Sequence, residues 1–368
     1  MHNTLANNGH DHNEVWLLLD SFTFGGIETH VLELAKGLVH DTIPLRVILL
    51  TRYSPPSAII EKLQQWDIPY CYLSALTSTN KQNTTSLFQH VQQLRMAVAQ
   101  HHPIAVHAHG YKASIISKLA VKTTQGRTRQ LTTYHAGEIP KGKVRLYDML
   151  DRYSALLSDV SLCVSPEIQS RLPSQSLHLN NFVSMNEAPR TLGTQLAFVG
   201  RLSHEKGPDR LCGLALQHLD HPFYVYGDGP MMATLTQERS DNVHLLGFQR
   251  DMHEVWNNIG LLIITSRYEG LPMTALEAMS RGIPVLTLNI GALNALIEHG
   301  KNGWIADDMQ QLSLYLNEWL QCTDNERALL SHHARQTIQH HYSTKAVIPK
   351  IIPLYSQHLH NRMYRSSI

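Results

Sequence analysis

Two glutamates, Glu269 and Glu277, stand with seven residues between them in EGLPMTALE. The apolar run before them, LLIIT (261–265), has the length and composition of a buried parallel strand. Pro272 then stands where a helix starts, because its missing N–H is one that a first turn leaves unpaired. Ala275, Leu276, Ala278 and Met279 give that helix an apolar face, and Gly282 with Pro284 ends it. Glu269 therefore falls in the loop at the carboxyl end of a strand, and Glu277 on the helix that follows. Open α/β sheets bind ligands beyond the carboxyl ends of their strands, beside helix N-termini. A carboxylate there repels phosphate and suits hydroxyl groups, so a sugar or a ribose is the expected guest. The plainer reading is a first-turn carboxylate favoured by the helix dipole, about 0.3–1 kcal/mol, and a solvated helix residue.

A second set of residues carries the opposite charge. The strand LAFVG (196–200) runs straight into RLSHEKGPDR, which holds Arg201 and Lys206 in a loop before a helix. Two cations flanking a strand exit suggest a diphosphate clamp, with a guanidinium fork and an ammonium point charge. Near the start of the chain, VWLLL (15–19) leads through DSFTFGG to a helix with apolar residues at Ile27, Val31, Leu34, Ala35 and Leu38. The paired glycines Gly25 and Gly26 let backbone N–H groups approach an anion. G-x-G-x-x-G is absent, however, and a tight turn that binds nothing fits the local sequence as well. Glu28 reads as a first-turn dipole partner rather than a catalyst. His135, at the end of LTTYH, suits donation to a hydroxyl or a phosphate oxygen, or a capping role. His107 and His109 alternate on a strand and face the same way, as two metal ligands would, but the sequence suggests no third ligand.

These stretches occur in one order: the glycine loop, G-R-L-x-x-x-K-G at 200–207, and E-x7-E followed by RGIPV. Together they resemble the retaining nucleotide-sugar glycosyltransferases of family 4, which have the two-domain GT-B architecture. E-x7-E alone is weakly specific; the ordered set runs from about Val15 to the C-terminal helix. The resemblance implies that Arg201 and Lys206 meet the donor's pyrophosphate and that Glu277 binds its ribose hydroxyls. Glu269, Gly270 and Leu271 would lie at the donor, with Glu269 holding hydroxyls of the reacting sugar. The loop at Gly25 and Gly26 would approach the donor's phosphate and sugar, His135 would face the sugar across the cleft, and the backbone at Phe248 would lie near the base. No bound metal or other cofactor is implied. Family members often carry an acid and a second glycine where this chain reads NIGAL, so Asn289 and Ala292 weaken the case for a donor contact there.

The elements that must position these residues alternate. LRVILL (45–50), CYL (71–73), IAVHA (104–108), LTTYH (131–135) and VSLCVS (160–165) read as further strands, and residues 85–101 as an amphipathic helix. That rhythm argues for parallel sheets covered on both faces. The fold class expected is α/β of GT-B type, two Rossmann-like domains with parallel sheets facing across a cleft. Expected boundaries are an acceptor-side domain at 1–182, a linker at 183–194, a nucleotide-sugar domain at 195–343, and a helix at 344–368 that crosses back to the first domain.

A chain of 368 residues with 43% hydrophobic and 17% charged residues is long enough for two cores and too apolar for general disorder. A formal net charge of +1 excludes a general nucleic-acid binder. Four scattered cysteines suit a reducing compartment, and neither a membrane span nor an apolar signal region is visible. The expected location is cytoplasmic, with peripheral attachment to the inner face of a membrane. That attachment rests on residues 111–147, where Lys112, Lys118, Lys122, Arg127, Arg129, Lys141, Lys143 and Arg145 face a single acid, Glu138. The expected activity moves a sugar from a nucleoside-diphosphate sugar to a glycan or lipid-linked acceptor in cell-surface polysaccharide biosynthesis. A nucleotide-sugar epimerase and a non-catalytic binding subunit of a polysaccharide-assembly complex are the alternatives.

Overall fold

The computed structural model describes residues 14–22, 24–77, 86–135, 143–185 and 193–355. Glu138, Lys141, most of the expected linker and the chain beyond Tyr355 lie outside these. Two compact units are present: the described residues up to Leu179 together with those from Ile348, and Asn180–Val347.

In the first unit the strands are β1 (Val15–Leu19), β2 (Leu45–Leu49), β3 (Tyr70–Tyr72), β4 (Ala105–His109), β5 (Arg129–Tyr134), β6 (Val160–Cys163) and β7 (Leu177–His178). Between them run α1 (Gly26–His40), α2 (Ile59–Gln65), α3 (Leu87–His101), α4 (Tyr111–Lys122), α5 (Lys143–Tyr153) and α6 (Pro166–Ser170). The sheet order is β3-β2-β1-β4-β5-β6-β7, with every pairing parallel. All five residues of β1 are buried, as a central parallel strand covered on both faces requires. Trp16, Leu18, Ile48, Val106 and Ala108 pack against Leu94, Ala97 and Ile116 on one side of the sheet.

The second unit holds β8 (Gln195–Val199), β9 (Phe223–Tyr226), β10 (Val243–Gly247), β11 (Ile259–Ile264), β12 (Val285–Leu288) and β13 (Gly303–Ala306). Its helices are α7 (Pro208–Ala215), α8 (Met232–Glu238), α9 (His253–Asn258), α10 (Met273–Ser280), α11 (Leu293–Leu296), α12 (Met309–Gln321) and α13 (Asp324–Thr337). The order β10-β9-β8-β11-β12-β13 is again parallel throughout. A last helix, α14 (Thr344–Tyr355), contains Pro349 and Pro353 and begins in one unit and ends in the other.

Local chemistry explains most of the element ends. Pro272 is the residue before α10 rather than its first, with φ −70° and ψ 130°, an extended cap whose ring needs no N–H partner. Val183 donates its N–H to the Tyr342 carbonyl at 2.9 Å and pairs with Ser343, so this segment is anchored within the second unit. No described helix is long and apolar enough to cross a membrane. The basic stretch is partly neutralised from outside itself. Lys112 pairs with Asp20 at 2.6 Å, Lys122 with Asp159 at 3.7 Å, and the wholly buried Lys118 with Asp151 at 2.9 Å. Burial lowers the Lys118 pKa and raises that of Asp151.

Candidate functional site

Both sheets reverse their strand order at the first strand of the unit, between β1 and β4 and between β8 and β11. Such a reversal leaves a crevice at the carboxyl ends of the two central strands.

In the second unit the loops around that point are locked together by close backbone approach. Gly200 donates its N–H to the Tyr226 carbonyl at 3.0 Å and Leu202 to Asp228 at 2.9 Å, which ties the exit of β8 to the exit of β9. Gly207 has φ +65°, and a Cβ there would meet the Thr265 carbonyl oxygen at 2.2 Å. The Thr265 hydroxyl donates to the Gly207 carbonyl at 2.8 Å. The glycine of G-R-L-x-x-x-K-G thus lets the loop after β8 press against the end of β11. Arg267 fixes the same loop, with a forked pair of bonds to Asp209 at 2.9 and 2.6 Å and one to the His204 carbonyl. Those bonds hold the Asp209 carboxyl below the ordinary carboxylate range.

This packing brings Lys206 and Glu269 into contact. Lys206 Nζ donates to both carboxylate oxygens, at 2.7 and 2.8 Å, and Ser266 Oγ donates to Oε1 at 2.6 Å. The Glu269 side chain is 7% exposed and that of Lys206 31%, so the pair sits at the mouth of the crevice with its cation towards solvent. Arg201 is exposed on the same loop. Gly270 and the buried Leu271 continue from Glu269. Their backbone is held from the neighbouring loop: Ala292 donates its N–H to the Gly270 carbonyl at 2.8 Å, and a Cβ on Gly291 would meet the Glu269 carbonyl oxygen at 2.3 Å. The NIGAL segment therefore supports the glutamate loop through its backbone, whatever its side chains contact. Glu277 is half-buried near the end of α10, where its carbonyl accepts from Ser280 and Arg281. Phe248, at the exit of β10, is 62% exposed.

The first unit assembles a different set. Gly25 and Gly26 are exposed at the start of α1. The Glu28 carboxylate accepts the Gly25 N–H at 2.9 Å, a cap of the kind expected, and burial raises its pKa. His107 is a satisfied core histidine: Nδ1 bonds the Tyr355 hydroxyl at 2.9 Å and Nε2 the Thr133 hydroxyl at 2.7 Å. Burial pushes its pKa down to about 3. His109 Nδ1 instead bonds His135 Nε2 at 3.1 Å, and the ring of His30 on α1 lies 4.6 Å from that of His135. The sequence pairing of His107 with His109 is thus replaced by His109 with His135 and His30. His30 carried a signal: it lies three residues after Ile27 and four before Leu34, on the apolar face of α1. The close approaches of Gly207 to Thr265 and of Gly291 to Glu269 carried none, because these partners are distant in sequence.

Residues 24–177 match the family described as Glycosyltransferase Family 4, and residues 187–337 that described as Glycosyl transferases group 1. Both halves of the chain match glycosyltransferase families. The fold is that of the GT-B glycosyltransferases: Anabaena Alr3699/HepE in complex with UDP and glucose superposes with a TM-score of 0.77 over 93% of this chain and 99% of that one, at 19% identity. Staphylococcus aureus TarM superposes at 0.74 over 94% and 99%, at 13% identity. In sequence, the O-antigen biosynthesis glycosyltransferase WbnH of Escherichia coli is 28% identical over 178 residues, 45% of this chain and 51% of that protein. The UDP-Gal:alpha-D-GlcNAc-diphosphoundecaprenol alpha-1,3-galactosyltransferase of the same species is 25% identical over 170 residues, 43% of this chain and 44% of that protein. The chain thus spans about half the length of the curated relatives it matches.

Proposed function

We propose that this protein is a retaining glycosyltransferase that moves a sugar from a nucleoside-diphosphate sugar to a glycan or lipid-linked acceptor, in the assembly of a cell-surface polysaccharide. The observation that carries the reading is the Lys206–Glu269 pair at the switch point of the second unit, with Arg201 on the same loop. An ion pair at a crevice mouth is a site that a ligand of mixed character can open. The donor's diphosphate takes Lys206 and Arg201, whose positive charge stabilises the negative charge that grows on the departing phosphate. Glu269, released from Lys206, accepts hydrogen bonds from hydroxyls of the reacting sugar. Glu277 accepts from the ribose, and the backbone at Phe248, Gly270 and Leu271 lines the donor.

Two cations meet the diphosphate, so this donor reading calls for no metal or other cofactor. In the first unit the loop at Gly25 and Gly26 and the His135 imidazole serve the acceptor side and the reacting sugar. The departing phosphate takes the acceptor's proton on the same face, which retains the anomeric configuration. The polysaccharide setting is supported by the relatives, two of which are O-antigen or lipid-diphosphate sugar transferases by name. The membrane side of the reading draws on α5, whose Leu146, Met149, Leu150 and Tyr153 are exposed beside Arg145.

A thermal-shift panel of nucleoside diphosphates and their sugars, followed by product analysis with the labelled nucleotide-sugar that binds, tests the proposal. A ligand at about 100 times its Kd stabilises by roughly 2.7 kcal/mol. Sugar transfer to a lipid or glycan extract supports it. An isomerised nucleotide-sugar identifies an epimerase, and binding without turnover a non-catalytic subunit.

A further inference from the structure

His135 stands in a cluster with His30 and His109, two residues to which the donor chemistry gives no part. His30 on α1, His109 at the end of β4 and His135 just past β5 each offer one ring nitrogen, and these atoms all lie within 4.8 Å of one another. The rings are separated by 5.4 Å (His30 to His109), 4.6 Å (His30 to His135) and 5.4 Å (His109 to His135).

His107 shows what an ordinary buried histidine looks like here, since both its nitrogens bond hydroxyl groups. His109, two residues on and facing the same way, does not follow that pattern. It is 1% exposed, its Nδ1 bonds His135, and its Nε2 is buried with no hydrogen-bond partner among the described residues. A buried ring nitrogen of that kind calls for an explanation.

We propose that His30, His109 and His135 bind one transition-metal ion of the zinc class. Three imidazoles without a carboxylate suit zinc, copper or nickel and do not suit magnesium, calcium or manganese. Metal–nitrogen bonds of about 2.0–2.1 Å in a tetrahedron place ligand atoms about 3.3 Å apart. One nitrogen of each ring already lies within 4.8 Å of the other two, so ligation closes the set by about 1.5 Å. Three protein ligands leave a fourth position open for water or a ligand oxygen. That position lies on the side of His135, the only one of the three that is not fully buried. Burial also lowers the pKa of His109 and His135 well below the ordinary value, which keeps both rings in the neutral form that ligates.

The full chain, without an affinity tag and stripped by chelation, is titrated with Co²⁺ and read by visible absorption. One ion per chain with intense tetrahedral bands, displaced by an equivalent of Zn²⁺, is expected. H30Q and H109Q should each weaken binding by more than about tenfold, since even outer-shell losses cost 10–100-fold. H244Q, an exposed histidine of the second unit, should not change it. Circular dichroism with chelator present shows whether each variant folds. Weak octahedral bands, binding without saturation at one ion, or equal binding by folded H30Q and H109Q would overturn the proposal. The wild-type spectrum decides the question even if both variants fail to fold.

Discussion

The first and second sheets share the order of their first four strands, third-second-first-fourth, and reverse at the same place, yet they put opposite chemistry there. Beyond β8 and β11 stand a lysine and a glutamate bonded to each other, with the lysine reaching water. Beyond β4 and β5 stand imidazoles taken out of water with no carboxylate bonded to them, which leaves them uncharged. Topology fixes where a ligand can approach; solvation and pairing of the side chains decide which ligand it is. On the readings proposed above, the second unit takes an anion with hydroxyl groups attached and the first an electron-pair acceptor.

Acid is the strongest way to break that contrast. A histidine with a folded pKa below its unfolded value of about 6.5 takes its proton first in the unfolded chain. Stability is therefore unaffected by it above that value and falls as the pH drops through the window. For His107 the window reaches down to about 3, and each such group costs about 1.4 kcal/mol per pH unit within it. His107 alone should remove about 1 kcal/mol between pH 6 and pH 5, and His109 and His135 add to the loss in the same direction. Denaturant midpoints measured from pH 7.5 to 5 check this. A flat profile would show that the first unit's histidines are not the uncharged groups described, and the two switch points would no longer differ.

The charged pair of the second unit is tested next by removing one member at a time. Glu269→Gln keeps the shape and loses the charge. Transfer should fall by about 10²–10³-fold, the usual cost of losing a hydrogen bond made at the reacting centre. Nucleoside diphosphate should bind about two- to fivefold more tightly, because Lys206 is no longer held by a partly exposed ion pair worth about 0.2–1 kcal/mol. Weaker diphosphate binding would refute the idea that the pair opens for the donor. Lys206→Ala should act in the other direction, weakening the free nucleoside diphosphate by about 1.5–3 kcal/mol on calorimetry. An unchanged Kd would remove Lys206 from the site.

Much of this frame was legible before any coordinates. VWLLL, LRVIL and the glycine-ended helix after Pro272 declare themselves through local composition, and they fall within a residue or two of the observed elements. The two-residue β7 did not, being too short to show a period. Arg201, Lys206 and Glu269 were recognisable as chemistry, but not that Lys206 and Glu269 bond each other across 63 residues of sequence. Gly207 was visible as the last residue of its motif and Gly291 as part of NIGAL, but only the backbone pressed against them shows why no side chain fits. The signal of His30, its place on the apolar face of α1, was passed over because a helical period is scored on apolar residues.

The basic stretch of the first unit gives the smallest effect. Counted along the sequence it looks like a charged patch, but Lys112, Lys118 and Lys122 are each paired with an acid from outside it. Besides the exposed Lys122, Arg127 and Arg145, the structure exposes an apolar set. Leu146, Met149, Leu150 and Tyr153 are 55%, 46%, 45% and 65% exposed, and their spacing puts them along one side of α5. Asp151, on the same helix, is buried against Lys118. A charge patch and an apolar stripe respond differently to salt. Each basic residue near an anionic surface contributes about 1 kcal/mol, and that attraction is lost as the Debye length shrinks to about 3 Å at 1 M salt. Burial of apolar side chains is not screened, and fully burying a leucine is worth about 1.5–3 kcal/mol. Because these residues are about half covered already, the gain per residue is nearer 1 kcal/mol. In co-sedimentation the protein should therefore bind anionic vesicles at low salt and keep part of that binding at 1 M. L146S/L150S should abolish the part that survives salt, and K143Q/R145Q only the part that does not. Complete loss of wild-type binding at high salt would return the attachment to charge alone, and no sedimentation under any condition would leave α5 facing a partner other than a bilayer.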